Sequence, residues 1–503
     1  MIAPLVFCRV ASGEEWPIYG ARAMGMGGAG IAAARGGASV YWNPASLART
    51  ATRRAPSVED ENDASSSEDA SPKGKRRLNG NLSLNATAML AAPGGTFEAV
   101  DQLSRDVRAL NISTVRTKLN TGQQLTETEL RLALKILGED IPALNESEGL
   151  LFSAVGGPSA QLWRFGLAFI GTVHGGASVS ADLNLLSLGN QGFTSAIGSG
   201  QDRSGQLSSS GQSLADQLAT GGGVTQNQAE ELVFQSESAG LSSADSGVQN
   251  SLQSLVAATA ANTGGSSSNS FTENGTTVDV RGIFLQEIAL AYAQPIGERL
   301  SVGVSAKAMH AWTYTRQFTL DELRKSKDLL KDVRKIDDED SETAFGVDVG
   351  ALLSPFPMLD LGLTAKNINS PRFGRQFGED YVLDPNLRAG VALYPLSWLT
   401  LAADIDCWKN HSEVLPAHRS QVVGGGAQFD LSVIALRAGI SKNLLDERED
   451  FILHAGLALR IWHFSLEAAA MLTPSLRGFE FNSAGTIPER TGVSITAGFN
   501  IAF

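Results

Sequence analysis

No run of roughly 18 uninterrupted apolar residues occurs in this chain, so no membrane-spanning helix is expected. Cysteine is scarce too: Cys8 and Cys407 are the only two. Cys8 falls in an expected export segment, which leaves the mature chain one thiol and no internal disulfide. Positive charge is in deficit, with 40 Lys and Arg against 53 Asp and Glu and a net charge of −13. That balance argues against nucleic acid as a partner. The six histidines (His174, His310, His411, His418, His454 and His463) are scattered without metal-ligand spacing, so no metal is expected. Neither a Gly-x-Ser-x-Gly elbow nor a Cys–His signature is present. The expectation is a non-enzymatic protein with no cofactor.

What the chain has instead is alternation. From Gly492 to Phe503, Val493, Ile495, Ala497, Phe499, Ile501 and Phe503 fall on one parity, with Ser494, Thr496 and Asn500 on the other. Period two of this regularity marks a strand with one apolar and one polar face. The pattern recurs: Leu359, Leu361 and Leu363 oppose Asp360 and Thr364, and Leu399, Leu401 and Ile405 oppose Thr400, Asp404 and Asp406. Strands are predicted near 81–90, 161–171, 174–183, 284–295, 300–316, 343–354, 359–369, 386–394, 399–408, 421–430, 432–442, 451–461, 463–472 and 491–503. Long and tight connections alternate along this series, as in outer-membrane barrels with long external loops and short periplasmic turns. The expected fold is all-β, a 14-stranded antiparallel transmembrane β-barrel spanning 81–503.

One parity of these strands carries the charge: Arg164, Glu287, Lys307, Asp348, Asp360, Lys366, Arg388, Asp404, Asp406, His454, Arg460 and Glu467. A charge facing lipid at mid-membrane costs about 2–4 kcal/mol, so this parity is expected to face the lumen. There the ionised groups either brace the wall as ion pairs or form a lining that selects solutes. Outward aromatics such as Trp163, Trp312 and Tyr314 fit an interfacial girdle.

The segments outside the strands differ in character. Residues 1–13 read as a partial signal peptide, without a basic start. Residues 49–80 form a polar linker expected to be disordered. Residues 96–148 read as a helical insertion, with Phe97, Val100, Leu103, Val107 and Leu110 on one stripe. Thr126 and Glu129 form a capping box before Leu130, Leu134 and Leu137, and Gly138 is expected to end that helix. Residues 190–276 are rich in Ser, Gly, Gln and Asn, and a mobile loop or loosely packed helices are expected. A charged helix is expected over 320–336.

Residues 14–48 are dense in small side chains. Gly25-x-Gly27-x-x-Gly30 matches a dinucleotide-binding expression, but no hydrophobic strand precedes it and no acid lies between Glu15 and Glu59. The nucleotide reading is rejected. The run Gly20-Ala21-Arg22-Ala23-Met24-Gly25-Met26-Gly27-Gly28-Ala29, followed by Val40-Tyr41-Trp42-Asn43-Pro44-Ala45, resembles the opening of FadL-type outer-membrane proteins. That superfamily includes fatty-acid and aromatic-hydrocarbon channels, PorV-type secretion barrels and a TraF-like group associated with conjugal transfer. The resemblance implies a hatch within the barrel, with Gly25, Gly27, Gly28, Asn43, Pro44 and Ala45 at its turns. It also implies an outer-membrane location and a hydrophobic small-molecule ligand or, alternatively, transfer or secretion proteins as partners. The closing Phe499, Ile501 and Phe503 resemble the signal read by the barrel assembly machinery.

Overall fold

The computed structural model describes residues 14–49, 79–180, 198–261, 277–319, 340–374, 380–474 and 478–502, less 112, 113, 116, 119–122, 124, 222, 447, 448, 481–485 and 489. The expected leader 1–13, the linker between 50 and 78, the charged helix 320–336 and Phe503 lie outside the described residues.

Fourteen antiparallel strands close into one barrel. They are β1 (Asn79–Ala91), β2 (Leu150–Leu162), β3 (Phe165–Ser180), β4 (Thr277–Ile296), β5 (Leu300–Thr319), β6 (Asp340–Phe356) and β7 (Leu359–Lys366). The second half comprises β8 (Asn386–Leu396), β9 (Leu399–Asp406), β10 (Val422–Leu431), β11 (Ile434–Asn443), β12 (Ile452–Ile461), β13 (Phe464–Leu472) and β14 (Arg490–Ala502). Each strand pairs with its sequence neighbour, and β14 closes on β1 from Asn79↔Ala502 to Ala91↔Arg490. Closure leaves no free edge, so apart from a few register breaks the ladder N–H and C=O groups have partners where water is absent.

The side chains sort as a lipid-facing wall requires. Leu167, Phe169, Ile288, Leu290, Leu363, Leu401, Leu436, Leu457 and Ile495 are exposed on the outside. Their sequence neighbours Ala168, Ile170, Glu287, Thr364, Thr400, Arg437 and Ser494 are buried on the inside. No described helix is long and apolar enough to cross a membrane. Rings cluster near the short turns: Phe165 packs on Tyr292 at 5.0 Å, Trp398 on Phe429 at 6.2 Å and Phe464 on Phe499 at 4.8 Å. Tyrosine and tryptophan in such a belt suit a membrane–water interface.

The second and third strands depart from expectation. The turn falls at Trp163–Arg164, not at 172–173, so 161–171 and 174–183 belong mostly to one long strand, β3. The partner strand β2 carries Gly156-Gly157-Pro158, which reads as a loop because proline cannot donate to a ladder. The β2–β3 ladder indeed passes from Gly156↔Gly171 to Ser159↔Ala168, skipping Gly157 and Pro158. Trp163 enters the turn with φ 54°, a left-handed conformation that tryptophan seldom adopts, so turn chemistry gives no warning. Arg164 is therefore a turn residue, not a lumen residue; it stacks on Trp163 at 4.8 Å and bonds Gln294.

At the loop end, the insertions form a helical cap. Thr96–Leu110, Glu127–Lys135 and Ile141–Glu146 come from the first long connection, and Ser209–Thr220, Gln226–Ser238 and Ser246–Ala261 from the second. One apolar core joins them, with Leu110, Leu130 and Leu134 meeting Leu214, Leu218, Leu232, Val233 and Leu252. Residues 190–197 and 262–276 lie outside the described residues, and over 198–261 the Ser/Gly-rich insertion is thus packed against the first insertion and not loose. Its few apolar residues are too sparse to bury one another, but they fill the face left open by the first insertion. Gly138 does not end its helix either: Ile136–Asp140 widens into a π-turn and the chain stays helical to Glu146.

Candidate functional site

Residues 14–49 thread the lumen from the loop end, where Glu14 meets Tyr381, Ser412 and Glu413, to the turn end, where Arg49 meets Asp360. The segment is almost wholly buried. Short helices at Ala21–Gly25 and Ser39–Trp42 fold it, and small residues allow the backbone to touch the wall.

The closest approach is glycine on glycine. Gly27 has φ +71°, and a Cβ there would lie 2.5 Å from the carbonyl oxygen of Gly425. A Cβ on Gly424 would lie 2.0 Å from the Gly27 carbonyl oxygen, and one on Gly439 2.4 Å from the Gly27 nitrogen. No side chain fits between these backbones. Gly25 abuts Gly456 in the same patch, while Gly28, at φ +82°, faces only Ile18. The glycines of β10, β11 and β12 are therefore the seat on which the hatch rests.

The Asn43-Pro44-Ala45 turn has a second seat. Asn43 donates to the carbonyls of Ile31 (3.2 Å) and Ala351 (3.1 Å) and accepts from the Ala45 N–H at 3.0 Å. Ser301 donates to the Ala45 carbonyl at 3.0 Å. A Cβ on Gly303 would lie 2.4 Å from the Ala45 nitrogen.

Polar bonds fix the rest all round the barrel. The Asp404 carboxylate accepts from Gly30 (2.6 Å) and Ile31 (2.8 Å), a charge-assisted arrangement. Thr496 accepts from Ala21 at 2.9 Å, Asn81 accepts from Gly37 at 2.8 Å and Gln161 donates to the Leu47 carbonyl at 3.0 Å. Arg49 pairs with Asp360 at 3.2 Å and reaches Tyr394 at 3.1 Å.

The expected lumen charges Glu287, Lys307, Asp348, Asp360, Lys366, Arg388, Asp404, Asp406, His454, Arg460 and Glu467 all lie on the inward parity. Most are paired: Lys307 with Glu287 (3.3 Å) and Asp348 (2.9 Å), Arg388 with Asp406 (3.0 Å), Arg460 with Asp430 (2.5 Å). Lys366 instead sits over the rings of Tyr41 (3.2 Å) and Trp16 (4.1 Å). Arg437, which bonds Glu467 at 2.8 Å and Gln428 at 2.8 Å, is missing from the expected set. Strict alternation with the outward Leu436 would have found it. Phe499 and Ile501 sit in β14, with Phe499 outside beside Phe464 and His463.

Four hatch rings pack into a partition through two stacked and two edge-to-face contacts. Trp16 lies 6.0 Å from Trp42 and 6.4 Å from Tyr41, Tyr41 lies 5.4 Å from Trp42, and Tyr19 lies 4.8 Å from Tyr41. The Tyr19 hydroxyl donates to the Gly157 carbonyl at 3.0 Å, where the β2–β3 ladder is interrupted. On the loop side of the rings is an 80 Å³ cavity lined by Trp16, Tyr41, Ile283, Leu285 and Leu383 and also by the charged Glu15, Glu287, Lys307 and Lys366. On the turn side is a 570 Å³ cavity lined by Tyr19, Trp42, Arg22, Arg35, Asn85 and Trp462.

A latch closes the loop end. His418, itself 1% exposed, bridges Glu148 at 2.6 Å and hatch residue Glu15 at 3.2 Å. Arg490 pairs with Glu15 (3.0 Å) and Glu449 (2.8 Å). Burial disfavours the charged imidazole, but the bonds to Glu148 and Glu15 outweigh it and raise His418 to about 9. Burial likewise opposes ionisation of Glu15, yet Arg490 and His418 hold its carboxyl well below the usual range. Among the described residues no cluster of His, Cys, Asp and Glu could hold a metal ion.

A family model described as "F plasmid transfer operon, TraF, protein" matches residues 70–406. No curated protein matches the chain. Among solved structures it is similar to the toluene transporter TbuX of Ralstonia pickettii, at 10% identity over 97% of this chain and 99% of that one, TM-score 0.41. It is similar to the toluene transporter TodX of Pseudomonas putida, at 11% identity over 98% and 99%, TM-score 0.40. A FadL homologue of Pseudomonas aeruginosa aligns at 9% identity over 97% and 99%, TM-score 0.38.

Proposed function

The chain belongs to the F plasmid transfer operon TraF family, and from that premise we propose an outer-membrane barrel for passive uptake of a hydrophobic small molecule. The hatch is its gate. The observation that carries this reading is the aromatic partition: four hatch rings, packed by two stacked and two edge-to-face contacts, lie between a loop-side cavity and a turn-side cavity. Only non-covalent bonds hold it, so a modest shift of the hatch joins the two spaces. The interrupted β2–β3 ladder at Gly157–Pro158, held to Tyr19 and closed in this state against Phe169, is the seam at which a lateral route would open beside the axial one.

Purified protein in liposomes, supplied with fatty acids and monoaromatic hydrocarbons, tests the proposal. Saturable binding or uptake of at least one class is expected. Its absence across both classes contradicts the reading.

A second reading has one observation in its favour. The helical cap pools two long loops into one apolar core, more architecture than a passive pore requires. That favours a partner-binding barrel serving transfer or secretion. A stable protein partner co-purifying on the cap supports it, whereas lipid or detergent retained in the lumen supports transport.

A further inference from the structure

We infer that Asp106 and Asp140 share one proton inside the helical cap, and that loss of this proton loosens the packing of the two insertions. The inference is independent of what the pore carries.

Asp140 stands where a charge is least welcome. It closes the π-turn Ile136–Asp140 and is 1% exposed, alongside Ile136 and Ile141 of the core that joins the insertions. No donor among the described residues bonds either of its oxygens. An ionised carboxylate buried in that way is costly. Turns of this wide type are themselves concentrated at functional positions.

The group that adjoins it is a second acid. Asp106, on the helix Thr96–Leu110, accepts from Lys135 at 2.9 Å and from Gln102 at 2.8 Å, both on Oδ2. These two donors favour the ionised form of Asp106. Asp140, with no donor of its own, therefore takes the proton and donates it to Asp106. Burial is the largest cause that raises the Asp140 carboxyl, to about 7; Asp106 adds to the rise, Lys135 opposes it and Glu139 adds to it. Burial also opposes the charge on Asp106, but hydrogen bonds from Lys135, Gln102 and Asp140 hold its carboxyl below the ordinary range.

The charges facing Asp140 are thus Asp106 from Thr96–Leu110, Lys135 from Glu127–Lys135 and Glu139 from the turn itself. Ser246–Ala261, which also packs on the turn, has no ionisable side chain, and Glu146 of the following helix is exposed. An acid raised above its ordinary value of about 3.9 stabilises the fold fully below that pH. Its contribution is lost as the pH climbs to about 7. The cap is therefore firm in mild acid and looser from neutrality upward. Ile141–Glu146 leads from the turn to Glu148, the residue that His418 bonds in the latch, so the loosening begins one short helix from the hatch.

The test is hydrogen exchange of the full-length protein in detergent micelles, at steps between about pH 4.5 and about pH 7, largely below the window in which the His418 latch weakens. Protection factors at Leu134 and Leu232, corrected for the intrinsic rate, should fall roughly tenfold or more across these steps. Those at Leu401 and Leu457 in the wall should stay constant. In Asp140→Asn, whose amide donates to Asp106 as the protonated acid does, cap protection should keep its acid value throughout. Asp106→Asn removes the opposing charge and should move the midpoint of the fall by about one unit toward acid, a result that stands even if the first variant does not fold. Constant cap protection in the native protein, the native fall in a folded Asp140→Asn variant, or an unmoved midpoint in Asp106→Asn overturns the inference.

Discussion

Asp404, facing inward from β9, accepts the backbone N–H of Gly30 at 2.6 Å and so ties the wall to the middle of the hatch. The adjacent N–H of Ile31 reaches the same carboxylate oxygen at 2.8 Å. One ionised side chain thereby satisfies two buried donors that have come some 370 residues along the chain to meet it.

Asp404→Ala should loosen the hatch without opening the barrel. Each buried donor left unpaired costs about 1–3 kcal/mol. Amide exchange at Gly30 and Ile31 is expected to rise at least tenfold, with the electrophoretic shift of the heated barrel unchanged. Unaltered exchange at those two amides would count against the anchoring role.

Gly424→Val tests the glycine seat. The Gly27 carbonyl oxygen lies 2.0 Å from where a Cβ would be, so the hatch cannot dock on this face. Limited proteolysis should then cut within residues 14–49, where the native protein resists. Resistance equal to native shows that the seat is dispensable.

The His418 latch should weaken with rising pH. Its folded pKa, raised to about 9, exceeds the ordinary value of about 6.5. Its stabilisation is therefore complete below about pH 6.5 and lost as pH climbs through about 9. The Glu15 carboxylate is depressed instead, so its contribution holds above about pH 4.3 and fails only in stronger acid. Protection factors at Glu15 and Trp16, corrected for the intrinsic base-catalysed rate, should fall between pH 6.5 and 9 in the native protein and stay constant over that window in His418→Gln.

Leu232→Ala should melt the cap and spare the barrel. Leu232 is fully buried in the core shared by the two insertions, and such truncations cost about 2–5 kcal/mol. Helical ellipticity is expected to fall with no change in the strand signal. Concerted loss of both would show that the cap and the wall fold as one unit.

Particular residues show why some of this was legible in the sequence. Asp360, Asp404 and Glu467 could be placed inside because lipid forbids them on the other parity, and alternation carries that constraint residue by residue. The β2–β3 turn was not legible, since Trp163 is no turn former and Pro158 reads as a breaker inside what proves to be a strand. The hatch glycines stood out, but their partners did not: Gly27 and Gly424 lie nearly 400 positions apart, and no local pattern encodes that contact. The cap escaped for a similar reason. Leu130 and Leu232 are unremarkable alone, and only their shared burial makes a core.

The most direct measurement is single-channel conductance in a planar bilayer, comparing the native protein with a variant lacking residues 14–49. The expected result is a nearly silent native barrel and a steady, large conductance once the plug is removed. Equal conductance of the two proteins would contradict the central claim that the amino-terminal segment stoppers the pore.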